Sequence, residues 1–263
     1  MEQDKVKIKQ KIKQNYGKII TDDQDNCCSN SSCCGERAET DRVQKAQKMG
    51  YEKEALDSSF AEANFALGCG NPRAIASLQK GETVLDLGSG AGFDAFLAAR
   101  EVGEKGKVIG IDMTEEMVEK ARLNARKNNF KNVEFILAEI EELPLAEQSV
   151  DVIISNCVIN LSTNKKRVFS EAKRVLKKGG RLAISDILRL NDFPKAIKND
   201  LDNYSSCVTG SITKEELISI LTELNFKNIS IERKNNSNQI VEDWSSKLKL
   251  SDYIYSAYIK AEK

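Results

Sequence analysis

Short β-branched runs alternate with amphipathic segments from Gly81 to Ile187, and this restricts the fold more than any other feature. Residues 83–87, 107–111, 133–137, 150–155 and 181–187 read as strands, several of them rich enough in Val, Ile and Leu to be covered on both faces. Residues 93–101, 115–128 and 165–177 carry helical spacing. Met117, Ala121 and Ala125 share one face of the second, and Val168, Ala172, Val175 and Leu176 one face of the third. Gly179 and Gly180 stop that third helix. Parallel strands need crossovers of this length, so the chain belongs to the α/β class, with a mostly parallel sheet and helices on both faces. A helix at 213–224, opened by Thr-Lys-Glu-Glu, and closing strands at 227–233 and 254–260 complete it.

The N-terminal part differs. Residues 1–20 read as a charged amphipathic helix with Val6, Ile8, Ile12 and Tyr16 among lysines, 21–41 as a polar, mobile loop, and 41–55 as a helix. The Gly-Cys-Gly-Asn-Pro stretch ending at Pro72 is a turn. The expected organisation is a helical, cysteine-rich extension over 1–70 and one α/β domain over 71–263, with an irregular insertion at about 188–211.

Lys plus Arg equals Asp plus Glu, 40 each, so no global field draws nucleic acid or an anionic membrane. The lysine-rich face of the first helix fits solvent better than an anionic surface. No apolar stretch suits a membrane span or a signal peptide. A cytoplasmic, monomeric protein with reduced thiols is expected. The chain has no histidine, which excludes Ser-His-Asp and Cys-His catalysis and His-containing zinc sites. Carboxylate, tyrosine, lysine and thiol chemistry remain.

The sharpest motif is VLDLGSGAG at 84–92. An apolar strand carries Asp86, and Gly88, Gly90 and Gly92 then let the backbone turn and approach a ligand. The second strand ends in Asp112, about 20 residues beyond the loop, where a carboxylate suits two ribose hydroxyls. The third runs into AEIEELP, with Glu139 and Glu141 near an adenine edge. Asp94 stands where a pyrophosphate-binding loop needs a small residue, so the loop suits an ammonium group better than a phosphate. Over roughly residues 70–190 this pattern resembles the class I S-adenosylmethionine-dependent methyltransferases. The resemblance implies S-adenosyl-L-methionine as cofactor, with Asp86, Gly88, Ser89, Gly90, Gly92, Asp112, Met113, Glu139, Ile140 and Asn156 around it. Glu139 departs from the Asp more usual at its position.

Seven cysteines need an account. Cys157, in SNCVINL, directly follows the fourth strand, at the sheet's switch point and near a methyl donor. It also suits a small buried position. Cys69 lies in a glycine-flanked turn, a poor place for core packing, and Cys207 in the insertion, a natural lid over the same end of the sheet. Three converging thiolates suit a soft, pyramidal ion such as trivalent arsenic, whereas zinc takes four ligands. LGCGNP, SNCVINLS, the Cys-Val-x-Gly insert and the N-terminal Asn-Tyr-Gly together resemble the arsenite methyltransferases over nearly the whole chain. The resemblance implies that Cys69, Cys157 and Cys207 handle arsenite or methylarsenite, and that the chain lacks the long C-terminal region of some members. It also implies a further thiol in the cluster Cys27, Cys28, Cys33 and Cys34, without saying which, and a redox cycle between Cys69 and a thiol of that cluster, Cys33 and Cys34 among the candidates, is the expectation. A thioredoxin- or glutathione-type reductant would then restore the thiols. Structural zinc and loose metalloid capture remain open for that cluster, because adjacent pairs depart from zinc spacing. Methylation of a small organic acceptor, or non-enzymatic metalloid sensing, remains open for the whole chain.

Overall fold

In the computed structural model, residues 2–25, 32–194, 207–242, 244 and 249–263 are described, with side chains left out at 2–5, 22–25 and 32–39. Seven strands form one sheet in the order β3-β2-β1-β4-β5-β7-β6. They are β1 (Thr83–Leu87), β2 (Lys107–Asp112), β3 (Val133–Leu137), β4 (Val150–Asn156), β5 (Leu176–Arg189), β6 (Lys227–Arg233) and β7 (Ile254–Glu262). β3, β2, β1, β4 and β5 pair parallel, while β7 pairs antiparallel with both β5 and β6.

Alternation along the strands divides the core. Val84, Val108, Phe135, Val152 and Ile154 face α5 (Phe93–Val102) and α6 (Glu115–Lys127). Their neighbours Leu85, Leu87, Ile109, Ile111, Ile153 and Ile184 face α7 (Lys165–Val175) and α8 (Lys214–Glu223). Both faces of the sheet are covered, as the nearly unbroken apolar strands require.

Several expectations are corrected at the ends of elements. The first helix, α1, runs Glu2–Asp25, longer than 1–20. The second, α2, runs Ser32–Met49, so part of the expected 21–41 loop is helical. The expected 41–55 helix is two helices, because α2 stops at Gly50 and α3 (Lys53–Leu56) starts anew. Gly50 has φ +98°, its N–H reaches the Gln47 carbonyl at 2.9 Å, and the Tyr51 N–H reaches that of Ala46 at 3.2 Å. That pair of bonds is a Schellman stop, which satisfies carbonyls left open at a helix end. β5 runs through Gly179–Gly180 and on to Arg189, so Leu188 and Arg189 belong to the sheet and not to the insertion. Much of the insertion, 195–206, lies outside the described residues. Two more helices are α4 (Arg73–Ala76) and α9 (Ser237–Glu242). Among the described residues no helix is long and apolar enough to cross a membrane.

Candidate active site

β1 lies between β2 and β4, so the chain reverses direction across the sheet at the carboxyl ends of β1 and β4. Open α/β sheets bind ligands there. A cavity opens at this place, walled by Gly88, Ser89 and Gly90 after β1, Asp112 and Met113 at β2, and Ile140 and Glu141 beyond β3. Asn156 and Cys157 close it from β4, and Ile12 and Tyr16 of α1 cover it.

Backbone hydrogen bonds shape the glycine loop. The N–H groups of Gly88 and Ser89 donate to the Ile111 carbonyl at 2.7 and 3.0 Å, tying the loop to β2. Gly90 donates to Asp112 Oδ2 at 3.0 Å, and Thr114 donates to Oδ1 at 2.9 Å. Gly90 has φ +51°, and a Cβ there would stand within 4 Å only of Met117 Sδ. The loop therefore leaves open space beside its backbone, as a cradle for a ligand does.

Three carboxylates gather around this space. Asp86 is buried and does not itself line the cavity, and its Oδ2 has no hydrogen-bond partner among the described residues. Burial first, then Asp94 and Asp112, raise its carboxyl well above the usual range. Burial also raises Asp94, against hydrogen bonds from the Tyr51 hydroxyl (2.7 Å) and Asn156 Nδ2 (3.2 Å). It raises Asp112 as well, against the N–H groups that the carboxylate accepts. Ser89 Oγ is another buried polar atom without a partner among the described residues. An orphaned carboxylate oxygen and an orphaned hydroxyl beside a polar cradle fit a cationic ligand with hydroxyls, such as the ammonium, sulfonium and ribose of S-adenosylmethionine.

Other expected positions have different surroundings. A Cβ on Gly92 would meet the Phe135 and Phe96 rings at 2.7 and 2.8 Å, so this glycine serves packing and does not line the cavity. Glu139 is also off the wall, paired with Lys9 at 2.5 Å and Lys13 at 3.8 Å. Glu141 lines the cavity instead and accepts from Ser162 Oγ at 2.8 Å. Asn156 spends its amide on the protein: Oδ1 accepts from the Cys69 and Gly70 N–H groups, and Nδ2 donates to the Gly70 carbonyl at 2.7 Å. It pins the Cys69 loop to β4. A Cβ on Gly68 would lie 2.5 Å from that amide, so the close approach needs glycine.

The scattered thiols converge. Cys69, Cys157 and Cys207 are buried and free, in one apolar cluster at the carboxyl end of the sheet with Ile12, Leu161 and Ile187. Cys207 Sγ donates to the Cys157 carbonyl at 2.8 Å, and Cys69 Sγ lies 3.6 Å from Ser185 Oγ. Cys157 has φ +60° and Cys207 φ +64°. Two non-glycine residues in the left-handed region, both thiols in one cluster, mark backbone strain of the kind that functional sites hold. Hydrogen bonding to Cys207 and Cys69, with burial, pushes the Cys157 thiol well up. The hydrogen bond with Cys157 favours the Cys207 thiolate, but burial and the Asp186 carboxylate outweigh it.

The sulfurs of Cys69 and Cys157 and one oxygen of Asp186 all lie within 4.8 Å of one another, so the third member of this group is a carboxylate that the sequence reading lacked and not Cys207. Asp186 is buried, and burial pushes it up to about 6, although it accepts from Ile187 N–H and Asn160 Nδ2 at 2.7 and 2.8 Å. Sequence reading also missed Tyr51, for which no local signal exists. Cys27 and Cys28 lie outside the described residues. Cys33 and Cys34 fall in the first turn of α2, their side chains outside them too, so the expected pairing with Cys69 lies beyond what is described.

A family model described as a methyltransferase domain matches residues 78–225. An arsenite methyltransferase of Halobacterium salinarum is 43% identical over 270 residues, covering 100% of this chain and 68% of its own length. The mouse arsenite methyltransferase is 37% identical over 186 residues, 67% of this chain and 49% of its own. The chain thus spans about two thirds of the first relative and half of the second. An arsenic(III) S-adenosylmethionine methyltransferase from Chlamydomonas reinhardtii superposes with a TM-score of 0.62 at 31% identity, over 84% of this chain and 73% of that one. With the glycine loop, the acidic cavity and the thiol cluster in place, this chain belongs to the arsenite methyltransferase family of class I S-adenosylmethionine-dependent enzymes.

Proposed function

We propose that the chain methylates trivalent arsenic held by the thiols of Cys157, Cys207 and Cys69, with S-adenosylmethionine in the cavity at β1 and β4. The observation that carries this reading is Cys157: its residue lines the cofactor cavity and its sulfur belongs to the buried thiol cluster. The cofactor supplies an electrophilic methyl group on a sulfonium. Gly88, Ser89, Gly90 and Asp112 are assigned to holding it, Met113 and Ile140 to packing beside it, and Asp86 to balancing its positive charge.

Thiolates bind arsenic through its soft σ-acceptor orbitals and leave its lone pair free to attack carbon. That nucleophile carries no proton, so the reaction needs no histidine base. Methyl transfer takes arsenic from the trivalent to the pentavalent state, and two electrons must return before another round. Two protein thiols supply them by forming a disulfide. Cys69 is assigned as one, Cys33 or Cys34 as the other, and a thioredoxin- or glutathione-type reductant in a reducing cytoplasm closes the cycle.

Purified protein given arsenite, S-adenosylmethionine and a dithiol should yield methylated arsenic by chromatographic speciation. Cys157→Ser should lose about 100-fold or more in methylation while binding cofactor normally. Methylation by the variant at the wild-type rate would contradict the assignment. Tight arsenite binding without product would make the chain a metalloid sensor, and neither binding nor product would point to an organic acceptor.

A further inference from the structure

A second cavity reaches the thiol cluster at Cys207, and no glycine-loop residue lines it. Its walls include Ile19 of α1, Ile240 of α9, Trp244 and Cys207. Tyr16 and Leu67 line both cavities and so form part of the partition between them. Cys157 is on the wall of the cofactor cavity, and Cys207 is on the wall of the second. The two are joined by the 2.8 Å bond from Cys207 Sγ to the Cys157 carbonyl. Each residue holds a left-handed backbone, and the two thiol residues line two separate spaces.

Displacement at a methyl carbon is in line, with nucleophile and leaving sulfur on opposite sides of it. A cofactor seated over Cys157 therefore closes that approach, and arsenic must arrive from the opposite side. The second cavity reaches Cys207 outside the cofactor cavity, and Ile19, Leu67, Ile240 and Trp244 give it an apolar part, beside Asn15, Lys45 and Lys48, that suits an uncharged guest. Trivalent arsenic hydroxide and its monomethyl form are uncharged near neutral pH.

We infer that the second cavity is the entrance for trivalent arsenic, which Cys207 captures first and passes on to Cys157, facing the cofactor. This rests on the proposed arsenic methylation and adds the direction and order of loading. The Cys207 S–H and an As–OH give S–As and water. The Cys157 S–H and a second As–OH do the same. Arsenic stays trivalent in both steps, so no electron donor is needed.

The test follows arsenite capture by rapid filtration and elemental counting of protein-bound arsenic. Saturating S-adenosylhomocysteine should leave the wild-type capture rate unchanged within about threefold, because it fills the other cavity. Cys207→Ser should slow capture about tenfold or more, whereas Cys157→Ser should capture at the wild-type rate and release arsenic faster. Ile19→Trp, which fills the second cavity from α1, should also slow capture about tenfold, with S-adenosylhomocysteine affinity retained as the control for folding. Capture blocked by S-adenosylhomocysteine, or slowed by Cys157→Ser and not by Cys207→Ser, overturns the entrance and leaves arsenic methylation standing. A wild-type protein that captures no arsenite at all overturns both.

Discussion

Asp86 is buried, short of a partner for one oxygen, and raised well above the usual carboxyl range by that burial, a combination that works against its charged form in the free protein. A cationic cofactor removes the conflict. Asp86→Asn should therefore weaken S-adenosylmethionine binding about tenfold or more, while the free protein resists urea no less than wild type. Calorimetric titration alongside urea unfolding checks both halves, and an unchanged affinity would remove Asp86 from the site. Asp186 gives a second residue-scale prediction, through pH. Burial raises it from an ordinary 3.8 to about 6, so between those values the folded state holds more protons than the unfolded state. Stability must then fall as pH rises through this window, by about 3 kcal/mol for this group in all, and level off above it. Unfolding free energies of wild type and Asp186→Asn, compared from pH 4 to 7, isolate this slope because the other groups cancel. A difference that does not change with pH would refute it.

At the scale of elements, local chemistry made much of the fold legible. The start of α8 was readable as Thr-Lys-Glu-Glu, and the full capping box forms, with Thr213 Oγ1 accepting from the Glu216 N–H at 3.2 Å and Glu216 Oε2 accepting from the Thr213 N–H at 2.7 Å. Glu216 also holds Arg189 at 3.1 Å, fastening the helix to the end of β5. Thr213→Ala should cost about 1 kcal/mol in urea unfolding, and no loss would mean that the cap is redundant with that ion pair. What escaped the sequence had tertiary causes. The split between α2 and α3 depends on Gly50 taking a left-handed backbone, and glycine alone does not announce that. α9 is only six residues long and lacks a full amphipathic repeat. The glycine loop and Asp112 were visible because they sit at strand ends a short way apart in sequence. The Tyr51–Asp94 and Asn156–Tyr51 bonds join residues 43 and 105 positions apart, and no local pattern encodes them. The pairing of Glu139 with Lys9 of the distant α1 is another contact that no local pattern encodes.

On the scale of the whole molecule, α1 is the element that connects everything else at the site. It places Ile12 and Tyr16 over the cofactor cavity, Ile19 against the second, and Lys9 on Glu139 and Glu141. It adds no strand to the sheet, and none of its described side chains belongs to the sheet's two main apolar layers. Its contribution should thus be to ligand retention more than to the core. A chain beginning at Ser32 should keep the far-ultraviolet circular dichroism of the α/β domain yet bind cofactor at least about tenfold more weakly, having lost Ile12 and Tyr16 from one wall. Thermal unfolding with added cofactor reads this directly. A ligand at about 100 times its dissociation constant stabilises the folded state by about 2.7 kcal/mol, and tenfold weaker binding at that concentration leaves about half. If the truncated chain gained as much from cofactor as the full chain does, α1 would be a mere neighbour of the cavity and Tyr16 no part of its closure.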